Sequence, residues 1–162
     1  MSERAWATAD LCDAHPDLVQ VALPGWLDLG GVRAFCGPAL TMRCPEDNSL
    51  VREAVGEPGD GRVLVVDGGA SSSVALLGDI LGEKAVANGW SGVLVNGYVR
   101  DARLLATFEL GVRALGTVPR KSEKLGRGER DATLAFGGVQ VKSGDWIYAD
   151  EDGWIVAPRA LH

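Results

Sequence analysis

The chain has 162 residues, 46% of them hydrophobic and 23% charged, and a formal net charge of −6. This length and balance fit a single domain with a full core, residues 1–162, and the acidic excess argues against direct nucleic-acid binding, which needs a basic footprint. No run approaches membrane-spanning length and the N-terminal MSERAWATADLCDAHPD has no apolar core of signal-peptide type, so the expected location is the cytoplasm.

Residues Ala7 to His15 read as a short helix capped by Thr8 or Asp10 and stopped by Pro16. The apolar run Leu18 to Leu29 is irregular. After Gly30-Gly31, the segment VRAFCGPALTMRC alternates and reads as strands broken at Gly37-Pro38. SLVREAVG places Leu50, Val51 and Val55 on one helical face, with Asp47 or Asn48 as N-cap and Gly56 as the stop. The continuous apolar run in RVLVVDGG fits a strand covered on both faces. Ser71 to Leu77 reads as a helical turn, Gly78-Asp79 opens a helix through Asn88, and SGVLVNG returns as a second buried strand. A short helix over Asp101 to Phe108 and a third strand, VRALGTV, follow, so two strand–helix–strand passages predict a small parallel sheet with right-handed crossovers. The basic, Gly-punctuated PRKSEKLGRGERD reads as a solvated surface loop. ATLAFGGVQV and SGDWIYADEDGWIVAP read as two hairpins, the second turning through Asp150 to Gly153. The whole is α/β with added antiparallel strands.

The candidate chemistry gathers at one sheet edge. The helix start at Gly78, Asp79, Ile80 and Leu81 offers backbone N–H groups and a positive dipole end suited to a carboxylate, unless Asp79 uses those donors as a cap. At the exit of the next strand, Arg100 presents a fork matched to a carboxylate and Asp101 a hard oxygen ligand for Mg²⁺ or Mn²⁺; a surface salt bridge is the alternative use of this pair. Asp67 with Gly68-Gly69 either faces the same cleft or makes a tight turn. GGASSS lacks dinucleotide-binding spacing, and the same absence counts against an S-adenosylmethionine methyltransferase. Asp145, Asp150, Glu151 and Asp152 read as turn residues. Cys12, Cys36 and Cys44 follow no zinc or disulfide spacing and read as reduced thiols, and two histidines near the termini, His15 and His162, argue against a His-centred triad.

TADLCDAHPD, GGVRAFCGPALTMRCPEDNSLVREAV, GRVLVVDGGASSSVALLGD, NGWSGVLVNGYVRD, the PRKS…GRGERD loop and SGDWIYADEDGWIV follow in an order that resembles the RraA-like family nearly end to end. That family joins the regulator of ribonuclease E activity A with class II 4-hydroxy-4-methyl-2-oxoglutarate aldolases, and its members are often labelled demethylmenaquinone methyltransferases. The resemblance implies a three-layer β/β/α domain of the swivelling phosphohistidine type, assembled as homotrimers or paired trimers with the site between subunits. Asp79, Arg100 and Asp101 match the aldolases' pattern of an aspartate separated by twenty residues from an Arg-Asp pair. By that resemblance Gly78 to Leu81 bind substrate through backbone, Arg100 grips the pyruvyl portion of a 2-oxo dicarboxylate, and Asp101 holds Mg²⁺ or Mn²⁺. The implied activity is retro-aldol cleavage, oxaloacetate decarboxylation, or both. The alternative it carries is a non-catalytic regulator that binds ribonuclease E or its helicase partner.

Overall fold

A computed structural model describes residues 4–162. Its strands and helices run α1 (Thr8–Ala14), β1 (Gln20–Val21), β2 (Leu27–Asp28), β3 (Phe35–Arg43), α2 (Ser49–Val55), β4 (Val63–Asp67), α3 (Asp79–Ala87), β5 (Gly92–Val99), α4 (Ala102–Leu105), β6 (Gly111–Thr117), β7 (Glu129–Arg130), β8 (Leu134–Phe136), β9 (Val139–Val141), β10 (Trp146–Asp150) and β11 (Gly153–Ala157). The order across the main sheet is β1-β11-β10-β3-β4-β5-β6-β2, with β7 paired to β3 and with β8-β9 as a separate hairpin. The β3-β4-β5-β6 ladder is parallel and the remaining pairings are antiparallel.

The parallel strands are apolar along their whole length because both faces are covered. Leu64, Val66, Val93 and Val95 point to a core shared with α2, α3 and α4, through Val51, Ala54, Leu81, Ala85 and Leu105. Their alternates Val63, Val65 and Leu94 face a second core closed by Leu134, Val141, Ile147, Trp154 and Val156 of β8 to β11. A period of two thus sends successive residues into different cores, which gives the expected β/β/α layering. α1 adds a further cover on the outer face of β10 and β11, where Leu11 packs on Tyr148 and Ile155. No helix among the described residues is long and apolar enough to cross a membrane.

Four local expectations are corrected. β3 is one strand of nine residues rather than two. Gly37-Pro38 marks a change of partner: Phe35 to Pro38 pair with β10, and pairing with β4 begins at Ala39. Ala39 N–H donates to Asp145 on the β10 side, so the nitrogen of Pro38 faces the other side, before β4 begins, and its missing donor leaves no gap in the ladder. The N-terminus of α1 is capped by neither Thr8 nor Asp10. Buried Asp150 takes the Thr8 N–H at 2.8 Å and the Thr8 hydroxyl at 2.6 Å, so a distant hairpin corner does the capping. Ser71 to Leu77 is not helical, because Leu76 and Leu77 are drawn into the core and their backbone joins the sheet edge. The basic loop is not simply solvated either: it contains β7, and Ser122 is buried.

Phe35 lies over the starts of β5 and β6, against Gly92 and Gly111. A Cβ on Gly111 would sit 2.0 Å from Phe35 Cδ1. Gly111→Ala is expected to destabilise the fold by about 1–3 kcal/mol through overpacking. Thermal melts check this, and Phe35→Leu in the Gly111→Ala background should recover part of the loss; no recovery would place the strain elsewhere.

Candidate functional site

Asp101, two residues past β5 and just before α4, sits in the left-handed region, φ 59° and ψ 40°, a conformation that aspartate tolerates better than most residues. From there its Oδ2 accepts the Asp79 N–H at 3.0 Å. The two segments are aligned by the extended stretch 75–77, where Leu76 N–H donates to Tyr98 O and Arg100 N–H to Leu77 O, both at 2.9 Å. Residues twenty-odd positions apart are therefore zipped together immediately before α3 begins. Gly78 fills the join. A Cβ there would lie 2.7 Å from Asp101 Oδ2 and 3.3 Å from Arg100 Cγ, so this contact admits only glycine without movement of the pair.

The first turn of α3 is partly satisfied in advance. Asp101 holds the Asp79 N–H, and Asp79 Oδ1 takes the Ile80 N–H at 2.9 Å. The Leu81 N–H has no partner among the described residues. Of the four backbone donors expected to meet a ligand, those of Gly78 and Leu81 are still open among the described residues, and both readings of this helix start apply in part. Arg100 is nearly free: its Nε stands 3.9 Å from Asp101 Oδ2 and one Nη is 3.5 Å from Pro119 O. Its fork opens on a cleft of about 230 Å³ that Asp79, Ile80 and Leu81 also line.

The rest of that lining comes from residues the sequence did not single out. Asn48 just before α2, Arg52 of α2, Lys84 of α3, and Lys121, Ser122 and Lys124 of the basic loop complete the wall. Five cations and one carboxylate, Asp79, line a cleft on a chain of net charge −6. The available signal was density: five of the sixteen Lys and Arg residues fall within residues 119–131.

Asp47 brings that loop to the site. Fully buried, it accepts N–H bonds from Ser49 at 2.8 Å and Leu125 at 2.6 Å, with Arg127 at 3.4 Å. Burial opposes ionisation of Asp47, but the Ser49, Leu125 and Arg127 donors outweigh it and draw the carboxyl down to about 2. Ser49 Oγ holds the Gly126 N–H as well, so the start of α2 clamps the loop at two points.

Other sequence candidates take structural roles. Asp67 Oδ1 accepts the Gly69 N–H and the Asn96 amide, each at 2.9 Å, which makes it a turn former. Asp145 holds the Lys142 N–H, and Asp150 the Asp152 N–H. All three cysteines are free thiols. Burial, with Asp47 and Asp67 nearby, pushes the Cys44 thiol up to about 12, so it is inert as a nucleophile.

No group of three or more His, Cys, Asp or Glu side chains among the described residues could cage a metal. Asp101 keeps Oδ1 free of any protein hydrogen bond among the described residues, and its side chain is about one-third exposed (32%). One carboxylate oxygen beside an open cleft fits a hard ion that retains water and takes ligand oxygens, as Mg²⁺ and Mn²⁺ do, and does not fit a closed zinc cage.

The RraA-like family model, described as Aldolase/RraA, matches residues 8–156. The chain belongs to this family. It is 52% identical over 156 residues to a protein of Ectopseudomonas mendocina and 54% identical over 154 residues to one of Alkalilimnicola ehrlichii, both provisionally named 4-hydroxy-4-methyl-2-oxoglutarate aldolase. Those alignments cover 96% and 95% of this chain and 96% of each relative. Among solved structures, the RNA-processing inhibitor RraA of Thermus thermophilis superposes with a TM-score of 0.93 at 41% identity, covering 100% of this chain and 96% of its own. A Geobacillus kaustophilus protein described as an S-adenosylmethionine:2-dimethylmenaquinone methyltransferase gives 0.94 at 47% identity, covering 96% and 97%. The RraA-like chain thus shares one fold with proteins carrying three different functional descriptions, and its function rests on the site.

Asp47→Ala should strand the Ser49 and Leu125 donors, at about 1–3 kcal/mol for each buried group left unpaired, and loosen the basic loop. Because the folded carboxyl sits below its ordinary value, its stabilising contribution is present above about pH 4. It is lost as pH falls through about 2. Acid titration of tryptophan fluorescence should show an acid transition in the native chain that is weakened in Asp47→Ala, which is already destabilised at neutral pH.

Proposed function

We propose that this RraA-like chain is a divalent-metal-dependent lyase that releases pyruvate from small 2-oxo dicarboxylates, by retro-aldol cleavage of 4-hydroxy-4-methyl-2-oxoglutarate, by decarboxylation of oxaloacetate, or both. The observation that carries the reading is the open Arg100 fork beside the α3 N-terminus, with Asp101 joining them, in a cleft rich in unpaired cations. The naming of relatives about half identical to it supports the same direction.

Arg100 grips the carboxylate of the pyruvyl end, and the Leu81 N–H with the positive end of α3 adds to the attraction. A Mg²⁺ or Mn²⁺ ion held by Asp101 would supply Lewis-acid polarisation of the 2-keto oxygen. In the aldol cleavage the C3–C4 bond breaks, its electron pair moves toward the keto oxygen, and the 4-hydroxyl gives up its proton as C4 becomes a carbonyl. Protonation at C3 then completes pyruvate, and two pyruvate molecules result. In oxaloacetate the same C3–C4 bond breaks to release CO₂ and leaves the same enolate. Arg100 stabilises the charge that develops on that enolate, in a position fixed before the reaction begins. Asp79 lines the cleft with Oδ2 uncommitted and orients the proton carrier at C4.

A second reading is a regulator of ribonuclease E, and its support is the likeness to the Thermus thermophilis RNA-processing inhibitor. Titrating the chain into a ribonuclease E cleavage assay tests it directly, and inhibition at stoichiometric amounts would favour it. A homotrimer, or paired trimers, with this edge at a subunit junction belongs to the same reading, and Ile80, which borders the cleft and is 66% exposed, is an apolar side chain that such a junction would cover. Light scattering reads that mass.

Arg100→Ala should lose pyruvate binding together with turnover. Asp101→Ala should lower pyruvate release by at least about 10²-fold, the scale of losing one preorganised charged group, with circular dichroism unchanged. Pyruvate release at the native rate by either variant would overturn that residue's role.

A further inference from the structure

A second cavity, of about 420 Å³, shares no lining residue with the Arg100 cleft. Arg113 lines it near the start of β6, whereas Arg100 lies past the end of the neighbouring parallel strand β5, so the two sites belong to opposite ends of the sheet. Arg113 is only 4% exposed, and burying a guanidinium is costly unless its donors are met. Nη2 is met twice, by Arg33 O and by Asp150 O. Nε is sealed from solvent, 3.6 Å from Asp28 Oδ1. Nη1 has no partner among the described residues and is not sealed, so it is the donor through which the guanidinium meets the cavity. Asp152, also in the lining, is the opposite pole. Its N–H donates to Asp150 Oδ1 at 3.0 Å, which keeps it close to the Asp150 carbonyl that Arg113 holds, and its exposed carboxylate has no partner among the described residues. Asp28 and Glu151 are already paired, with Arg33 and Arg4. The remaining wall is apolar and includes Val21, Leu23 (62% exposed) and Trp26. It is held in place: Ala22 N–H donates to Trp154 O, Leu23 N–H to Gly137 O, and the Trp26 ring stands edge to face with Trp154 at 5.3 Å.

We propose that this cavity binds an apolar α-amino acid, at a site separate from the cleft of the lyase reading and independent of it. The carboxylate accepts from Arg113 Nη1, the ammonium lies against Asp152, and the side chain covers Leu23 and Trp26. An open cation and an open anion, both anchored on Asp150, match a ligand whose two charged groups share one carbon. A dicarboxylate would be repelled by Asp152, and a simple amine would leave Arg113 unmet. The volume is in the range usual for small-molecule sites.

Titration with L-leucine, followed by calorimetry and by tryptophan emission, tests the site, with glycine, 4-methylpentanoate and 3-methylbutylamine as controls. Leucine should bind at least about tenfold more tightly than glycine, the worth of covering its side chain. It should also bind at least about tenfold more tightly than either analogue that carries a single charge, the range of a charge-assisted contact. Asp152→Asn, a change at an exposed position, should bring leucine to within about twofold of 4-methylpentanoate by removing the ammonium's partner. No response of the unsubstituted chain to millimolar leucine, or equal binding of leucine and glycine, would overturn the site. A preference for leucine over 4-methylpentanoate that survives Asp152→Asn would overturn the ammonium contact and with it the amino-acid assignment. If leucine binds as expected while no 2-oxo acid is cleaved, the lyase reading fails and this site stands.

Discussion

One contact ties this fold to its chemistry: the carboxylate of Asp101 held on the first backbone N–H of α3 at 3.0 Å. It welds the exit of β5 to the entrance of a helix that starts twenty-two residues earlier. The left-handed turn at Asp101 aims the side chain, and Gly78 leaves room for it. A carboxylate at a helix N-terminus is favourable in its own right, so the join is stable before any ligand arrives. It also leaves Arg100 beside the cleft with little else to bind. In the proposed lyase, positioning of this kind would make electrostatic catalysis effective, because the charges need no rearrangement when the reaction begins.

The two-sided burial of the parallel strands makes that precision possible. Each of β4 and β5 contributes alternate side chains to two separate cores, so neither strand can slide by one residue without exchanging its cores. The edge formed by their C-terminal ends is thereby fixed, and α3 and the 75–77 stretch are referenced to it. Asp47 extends the same logic to a segment that is otherwise loop: buried and ionised, it holds backbone donors from the helix start and from the loop at once. The cationic wall of the cleft is thus built on a buried anion.

Much of this was legible in the residues. Continuous apolar strands, Gly and Asn helix stops and Gly-centred hairpins carry local signals, and the corresponding elements lie where those signals put them. Gly78, Asp79, Arg100 and Asp101 were found because a strand–helix–strand passage dictates which chain ends share an edge. What escaped the sequence depended on distant partners. Asp150 caps α1 from 142 residues away, and no local pattern encodes that. The Gly37-Pro38 pair has the composition of a break, yet β3 runs through it because a different strand takes over on each side. The basic loop carried the charge of a solvated face, and its role at the cleft follows only from the Asp47 clamp.

The RraA-like fold itself is compatible with catalysis and with regulation, so the decisive observation concerns the metal that Asp101 is proposed to hold. Pyruvate release from oxaloacetate should be followed with the purified chain under EDTA and after restoration of Mg²⁺ or Mn²⁺, each against a metal-only control. A metal-dependent lyase gives chain-dependent release that chelation stops and metal restores. Release no faster than the metal-only control, with native folding verified in the same sample, would contradict the lyase reading and leave the cleft as a binding site.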